Sequence, residues 1–268
     1  MLQKELRQAK SIDNVYNSAY WHLAQQDYTI AEIRTKLERK TENQEWVETV
    51  LADLIGKNYI KSDFDFAVHF AESAFSNEHG KSAIARKLRA RGVAVTEAAE
   101  AIEQVMYDEE IDQFELAASR LRSSFQTFHS TTKEKVYSQF TTKGFSRTEI
   151  DHALSLHPEK DTLRTKLEVN AEKADLNKEI MKLYRKGKGK RLILNELRTK
   201  LIDVENFENE IYQLEEAGDI DFYQSCLDVL NKKRYDINNR TEKSKAYAYL
   251  SRKGFDSDQI KEALNPSD

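Results

Sequence analysis

The chain has 268 residues, with 42 Lys and Arg against 46 Asp and Glu, a formal net charge of −4, and only 8 Gly, 2 Pro and 1 Cys. So few turn residues argue against a strand-rich fold, which needs them at nearly every reversal, and a charged fraction of 33% suits helices with broad solvated faces. The lone Cys226 excludes an intramolecular disulfide framework and a multi-cysteine metal site, and the near-balanced charge excludes a chain uniformly attracted to nucleic acid while leaving room for local basic stripes.

Residues 1–10 alternate charge with polarity, and the longest uncharged stretch, residues 14–26, is polar and too short to span a bilayer. A soluble, cytoplasmic protein with no membrane contact is therefore expected. In chain order, the first predicted helix covers residues 16–26 and is followed by four apolar positions, Ile33, Leu37, Val47 and Leu51. Their offsets of 0, +4, +14 and +18 are those of two short amphipathic helices, each placing one i, i+4 pair on a common core. The same offsets recur after a predicted helix at 63–75, in Ile84, Leu88, Ala98 and Ile102. They recur again after 111–125, in Val136, Phe140, Ile150 and Leu154. A long predicted helix at 161–185 precedes Ile193, Leu197, Phe207 and Ile211, and one at 220–233 precedes Ala246, Leu250, Ile260 and Leu264.

Successive second members of these sets stand 51, 52, 57 and 53 residues apart, a period with room for three helices per repeat. Thr29 with Glu32, Thr131 with Glu134, Ser146 with Glu149 and Asp256 with Gln259 have the spacing of N-terminal capping boxes. Gly92, Gly144 and Gly254 stand just past helix ends, where a left-handed residue closes the last turn. Pro158 ends a helix and marks the main boundary, dividing the chain into 1–156, with three modules, and 157–268, with two further modules that begin with the long helix. The expected fold is all-α, an elongated tandem array of five three-helix modules.

Two of these segments, VYSQFTTKGFSRTEIDHAL at 136–154 and AYAYLSRKGFDSDQIKEAL at 246–264, resemble the last module of the RecX family, small helical regulators of the RecA recombinase. AYWHLAQQDYTIAEIRTKLERK at 19–40 resembles that family's opening module and GKSAIARKLRARGVAVTEAAEAI at 80–102 its middle one, joined by Phe66, Ala67 and Phe70 of DFAVHF. GKGKRLILNELRTKL at 187–201 resembles a second middle module, so that 180–264 repeats the middle and last pair. The chain departs from the family pattern in having five modules, Lys61 and Ser62 in place of an acidic pair, and Thr41 and Leu201 where a module-ending glycine is usual. The resemblance implies an interaction protein that binds RecA or its filament on DNA and inhibits recombinase and coprotease activity, in DNA repair and the SOS response. No cofactor and a monomer are expected.

Cations supply the candidate contact surface. Lys40, Arg91, Lys143, Lys200 and Lys253 each stand seven residues after the first member of a set, in the last turn of a helix, where a positive charge complements the macrodipole. Arg34, Lys36, Arg39 and Lys40 crowd one helix, and Lys81, Arg86, Lys87, Arg89 and Arg91 another. Arg185, Lys186, Lys188, Lys190 and Arg191 gather at the start of the fourth apolar set. Such clusters fit either a solvated face or a track for phosphates or an acidic protein surface, so single-stranded or double-stranded DNA is the alternative partner and a generic helical scaffold the third reading. Tyr16, Tyr20, Phe64, Phe66, Phe70, Tyr137 and Phe140 have helical spacing, so most of them read as core rather than as base-stacking platforms.

Enzyme chemistry has little support. Gly80, Lys81 and Ser82 spell the end of a phosphate loop, but the glycine needed five positions earlier is Phe75 and the preceding segment reads as helix, leaving only anion binding at a helix N-terminus. His22, His69, His79, His129, His152 and His157 include no i, i+4 pair suited to a metal.

Overall fold

Apolar spacing sets the helices of this protein. A computed structural model describes residues 8–265 and, among them, contains sixteen α-helices, one 3-10 turn and no strand. Residues 1–7 of the polar opening stretch lie outside the described residues. The first module comprises α1 (Ile12–Leu23), α2 (Ile30–Glu38) and α3 (Gln44–Gly56), the second α4 (Asp63–Ser76), α5 (Lys81–Ala90) and α6 (Val95–Asp108), and the third α7 (Gln113–Ser124), α8 (Lys133–Lys143) and α9 (Arg147–Leu156). A 3-10 turn (Lys160–Thr162) and a short α10 (Lys166–Glu172) precede the fourth module, α11 (Leu176–Tyr184), α12 (Lys190–Thr199) and α13 (Phe207–Glu216). The fifth is α14 (Phe222–Asn231), α15 (Arg240–Arg252) and α16 (Ser257–Leu264).

All twenty positions of the five apolar sets are buried, none more than 9% exposed. Each second and third helix of a module therefore turns its i, i+4 pair inward, and the first helix closes over them. The capping boxes at Thr29 and Glu32 and at Ser146 and Glu149 form, and Gln259 Oε1 accepts the Asp256 N–H at 2.9 Å. Gly92, Gly144 and Gly254 have φ of 89°, 97° and 89°. At the corresponding place in the fourth module Leu201 takes φ 58°, a conformation that costs a side chain with a Cβ about 1–2 kcal/mol. His157, held before Pro158, has the extended backbone (φ −75°, ψ 132°) that proline imposes on its neighbour, and α9 stops there.

Two expectations need correction. No long helix spans 161–185: the Thr165 hydroxyl caps α10 in a box with Glu168, and Asp175 Oδ1 accepts the Lys178 N–H at 3.1 Å and starts α11 afresh. The polar side chains compete for the backbone and restart the helix where a continuous pattern suggested one element. Thr131 is not a cap either. Its own N–H closes a turn on Phe128 O at 3.2 Å, so the N-cap of α8 is Thr132, and the buried Thr131 Oγ1 has no hydrogen-bond partner.

The chain divides into two compact units, Met1–Leu163 and Arg164–Asp268. In the first, each module has its own apolar cluster, built around Ile33 and Leu51, around Ile84 and Ile102, and around Phe140 and Ile150. In the second, one cluster runs from Ile180 to Leu264 through both modules.

Candidate contact surface

Within each unit, adjacent modules meet through their second helices, end to start. Thr29 Oγ1, at the N-cap of α2, donates to Arg91 O at the end of α5 at 2.6 Å. Gly80 N, at the N-cap of α5, donates to Lys143 O at the end of α8 at 2.9 Å. In the second unit Gly189 N, at the N-cap of α12, donates to Lys253 O at the end of α15 at 2.8 Å. A helix end leaves carbonyls without intrahelical partners, and here the preceding module supplies the donor. Glycine is required at 80 because a Cβ there would lie 2.5 Å from Gly144 O, and Gly189 is pressed against the Gly254 backbone in the same way.

This arrangement explains three members of the cation register. Arg91, Lys143 and Lys253 sit at helix ends whose carbonyls join two modules, and they complement the negative pole there. Lys40 O likewise accepts from Ala9 N at 2.8 Å, whereas Lys200 turns its ammonium to Glu179 at 2.8 Å within the fourth module.

Many of the clustered cations are engaged within the fold. Arg34 pairs with Glu48, and Lys36 lies 4.6 Å from the centre of the Tyr28 ring. Arg91 forms a forked pair with Glu32, with hydrogen bonds of 2.9 and 2.8 Å, and stacks over Phe66. Burial raises the Glu32 pKa, but the hydrogen bonds from Arg91 and from the Thr29 N–H outweigh it and hold the carboxyl below its ordinary value. Lys81 lies 3.7 Å from Glu103, and Arg86 donates to Thr142 O across the module boundary at 2.9 Å. In the second unit Lys188 pairs with Glu196, Lys190 with Glu208 at 2.6 Å and Arg191 with Asp256 at 3.3 Å, while Lys253 lies over Tyr249. Among the described residues, Arg39, Lys87, Arg89, Arg185 and Lys186 are exposed and make no salt bridge.

Helix geometry further divides the α5 cluster. Arg86 and Arg89 share one face, from which Arg86 reaches Thr142 O, while Lys87 lies on the other side of the buried Leu88 and Ile84 row, in a cleft with Lys143. There it also meets two residues that local spacing did not reveal, His79 and Arg120. Their only sequence trace is indirect, since Gly80 and Lys143 hold the register positions that join modules.

The notion of an anion site at the α5 N-terminus does not hold. Gly80 N is bonded to Lys143 O and Lys81 N to Gln113 Oε1 at 3.0 Å, so those donors are already spent. Burial pushes the Cys226 thiol up to about 12, far from nucleophilic at neutral pH. Among the described residues no group of three His, Cys, Asp or Glu side chains could hold a metal ion, and no helix is long and apolar enough to cross a membrane.

These features define a helical-repeat protein built from three-helix modules whose middle helices abut within each unit. The family model described as RecX, third three-helix domain, matches residues 219–264, the fifth module. The chain is 35% identical over 89 residues to the regulatory protein RecX of Photobacterium profundum, covering 33% of each protein, so it spans about a third of that relative's length. It is 26% identical over 133 residues to the regulatory protein RecX of Haemophilus influenzae (strain PittEE), covering 48% of this chain and 84% of that one. A crystal structure of RecX from Lactobacillus salivarius aligns over 57% of this chain and 97% of its own, at 23% identity and a TM-score of 0.44. The matched segments of this chain are similar to regulatory proteins of the RecX family.

Proposed function

We propose that this protein binds the RecA filament on single-stranded DNA and inhibits its recombinase and coprotease activities. The observation that carries this reading is the order of modules: opening, middle and last, then middle and last again, each with its apolar set buried, and with middle helices abutting inside each unit, α2 on α5 and α5 on α8 in the first and α12 on α15 in the second. A repeating partner suits a repeating binder, because weak contacts at successive modules act together once the first is made. The candidate contact residues are the exposed cations of the middle helices, led by Arg86, Lys87 and Arg89. This reading treats the protein as a binder rather than an enzyme, acting in the cytoplasm without a cofactor.

The test is single-stranded-DNA-dependent ATP hydrolysis by the cognate RecA. Inhibition at amounts below one protein per RecA subunit is expected, and the triple charge reversal Arg86→Glu, Lys87→Glu, Arg89→Glu should relieve it while leaving the helical content unchanged. No inhibition at a several-fold excess overturns the proposal.

Direct DNA binding is a second reading, favoured by the exposed cations Arg39, Arg89, Arg185 and Lys186, which no carboxylate neutralises. It predicts an affinity for DNA alone that falls steeply between low and physiological salt as counterions are released. Affinity for RecA in the absence of DNA separates the two.

A further inference from the structure

The two module junctions of the first unit place cations at matching positions but draw their carboxylate from different places. At the first, Lys36, Arg39 and Arg91 line a cleft in which Glu32, the residue before Ile33, pairs with Arg91. At the second, Lys87 and Lys143 occupy the equivalent positions three and seven residues into their sets, and the residue before Ile84 is Ala83. No carboxylate stands at that helix position in the second, where Glu78 pairs with Arg120 instead and, among the described residues, nothing pairs with Lys87.

Two more groups enter that second cleft, which has a volume of about 420 Å³. Arg120 comes from α7, its Nη1 bonded to the carbonyls of Asn77 and Glu78 at 3.3 and 3.2 Å and to the Glu78 carboxylate at 3.3 Å. His79 comes from the turn after α4, its Nε2 3.4 Å from Lys143 Nζ and its Nδ1 buried without a hydrogen-bond partner. Three cations thus face one carboxylate, that of Glu78. Burial, Arg120 and Lys87 hold the Lys143 pKa below its ordinary value against Glu78, and burial, Lys87 and Lys143 do the same to His79 against the carbonyls of Ala74 and Asn77. Groups that depress one another in this way gain most from an anion placed among them.

We infer that the cleft between the second and third modules, bounded by His79, Lys87, Arg120 and Lys143, binds a single phosphate group. The chemistry favours phosphate over a carboxylate. Arg120 has committed one arm of its fork to main-chain carbonyls, so the remaining donors are two ammonium groups and an imidazole converging from separate elements, a set that matches the several oxygens of a phosphate. An anion there stabilises the imidazolium form of His79. Binding therefore takes up a proton, and affinity for a phosphodiester, which does not itself titrate near neutrality, rises as the pH falls toward and below the ordinary histidine value. The inference does not depend on RecA, and its test contains none.

The measurement is NMR of the six histidine imidazoles in the full-length chain, with His79 assigned by His79→Asn. Titrations use inorganic phosphate, a ten-residue oligothymidylate, and sodium chloride at matched ionic strength. His79 should shift along a saturating curve with phosphate or with the oligonucleotide, well beyond its response to chloride. A response to the oligonucleotide identifies a nucleic-acid phosphodiester as a ligand, and a response to inorganic phosphate alone identifies a free anion. Lys87→Gln, at an exposed position without a hydrogen bond, should weaken binding about tenfold with the other histidine signals unchanged. A His79 response no larger than that to chloride, or wild-type binding in Lys87→Gln, overturns the inference.

Discussion

Glycine at positions 80 and 189 carries information that its backbone angles alone would hide, since φ is −76° and −78°, which any residue adopts. What demands glycine is the neighbouring module, whose backbone occupies the place of a Cβ. Gly80→Ala has no flexible side chain to push aside and must separate the N-cap of α5 from Gly144, stretching the Gly80 N to Lys143 O bond. The expected cost is about 1–3 kcal/mol, the usual penalty for inserting a carbon into closely packed surroundings. Gly56→Ala is the control. It closes α3 with nothing within 4 Å of the added carbon, and should be neutral or stabilise by up to about 1 kcal/mol. Urea unfolding of the two variants decides it, and equal midpoints would show that the junction tolerates the extra atom.

Each middle helix does two things at once, burying an i, i+4 pair in its own module and presenting its ends to its neighbours. The ion pair between Arg91 and Glu32 therefore fastens α5 to α2 at the same place where Thr29 caps α2 and bonds to Arg91 O. Because the folded Glu32 pKa lies below its unfolded value, the pair contributes stability that is fully present above the ordinary carboxylate value and is lost as the pH falls through the folded value. Glu32→Gln should lower stability at pH 7 and flatten its decline below about pH 4.5, the region where an unperturbed Glu titrates. Parallel stability curves for the wild type and the variant would show that the pair contributes nothing. The helices themselves were legible in the sequence because the i, i+4 spacing and the glycine closures are local signals, and all twenty apolar positions obey them. The start of α10 inside that stretch was legible in principle as well, since Thr165 and Glu168 carry the same box signature as Thr29 and Glu32, but a continuous pattern masked it. The cleft was not legible: His79 and Lys143 are 64 residues apart, and only the packing of whole modules brings them together.

At the scale of the whole molecule, the two units differ in how their modules cohere. Unit one keeps a separate apolar cluster for each of its three modules and joins them by cap bonds, ion pairs and close backbone contact. Unit two pools two modules in one cluster, and the turn between α11 and α12 enters it directly, where a Cβ at Gly187 would lie 2.6 Å from Val229. The Tyr184 hydroxyl ties the same region to the fifth module, donating to Asp221 O at 3.1 Å and accepting from Asp221 N at 2.9 Å. Neither module of this unit closes its core alone. A chain of about 50 residues is near the lower limit for burying enough surface to offset chain entropy, so the loss of a shared face is decisive. Residues 164–268 expressed alone should accordingly unfold in a single cooperative thermal transition, and residues 164–218, which expose the side of the cluster that Phe222, Cys226 and Val229 cover, should show none. Circular dichroism at 222 nm distinguishes these outcomes. A cooperative transition in the shorter fragment would mean that the fourth module owns a complete core, and that the pooling of apolar residues is contact between finished domains rather than one core divided between two modules.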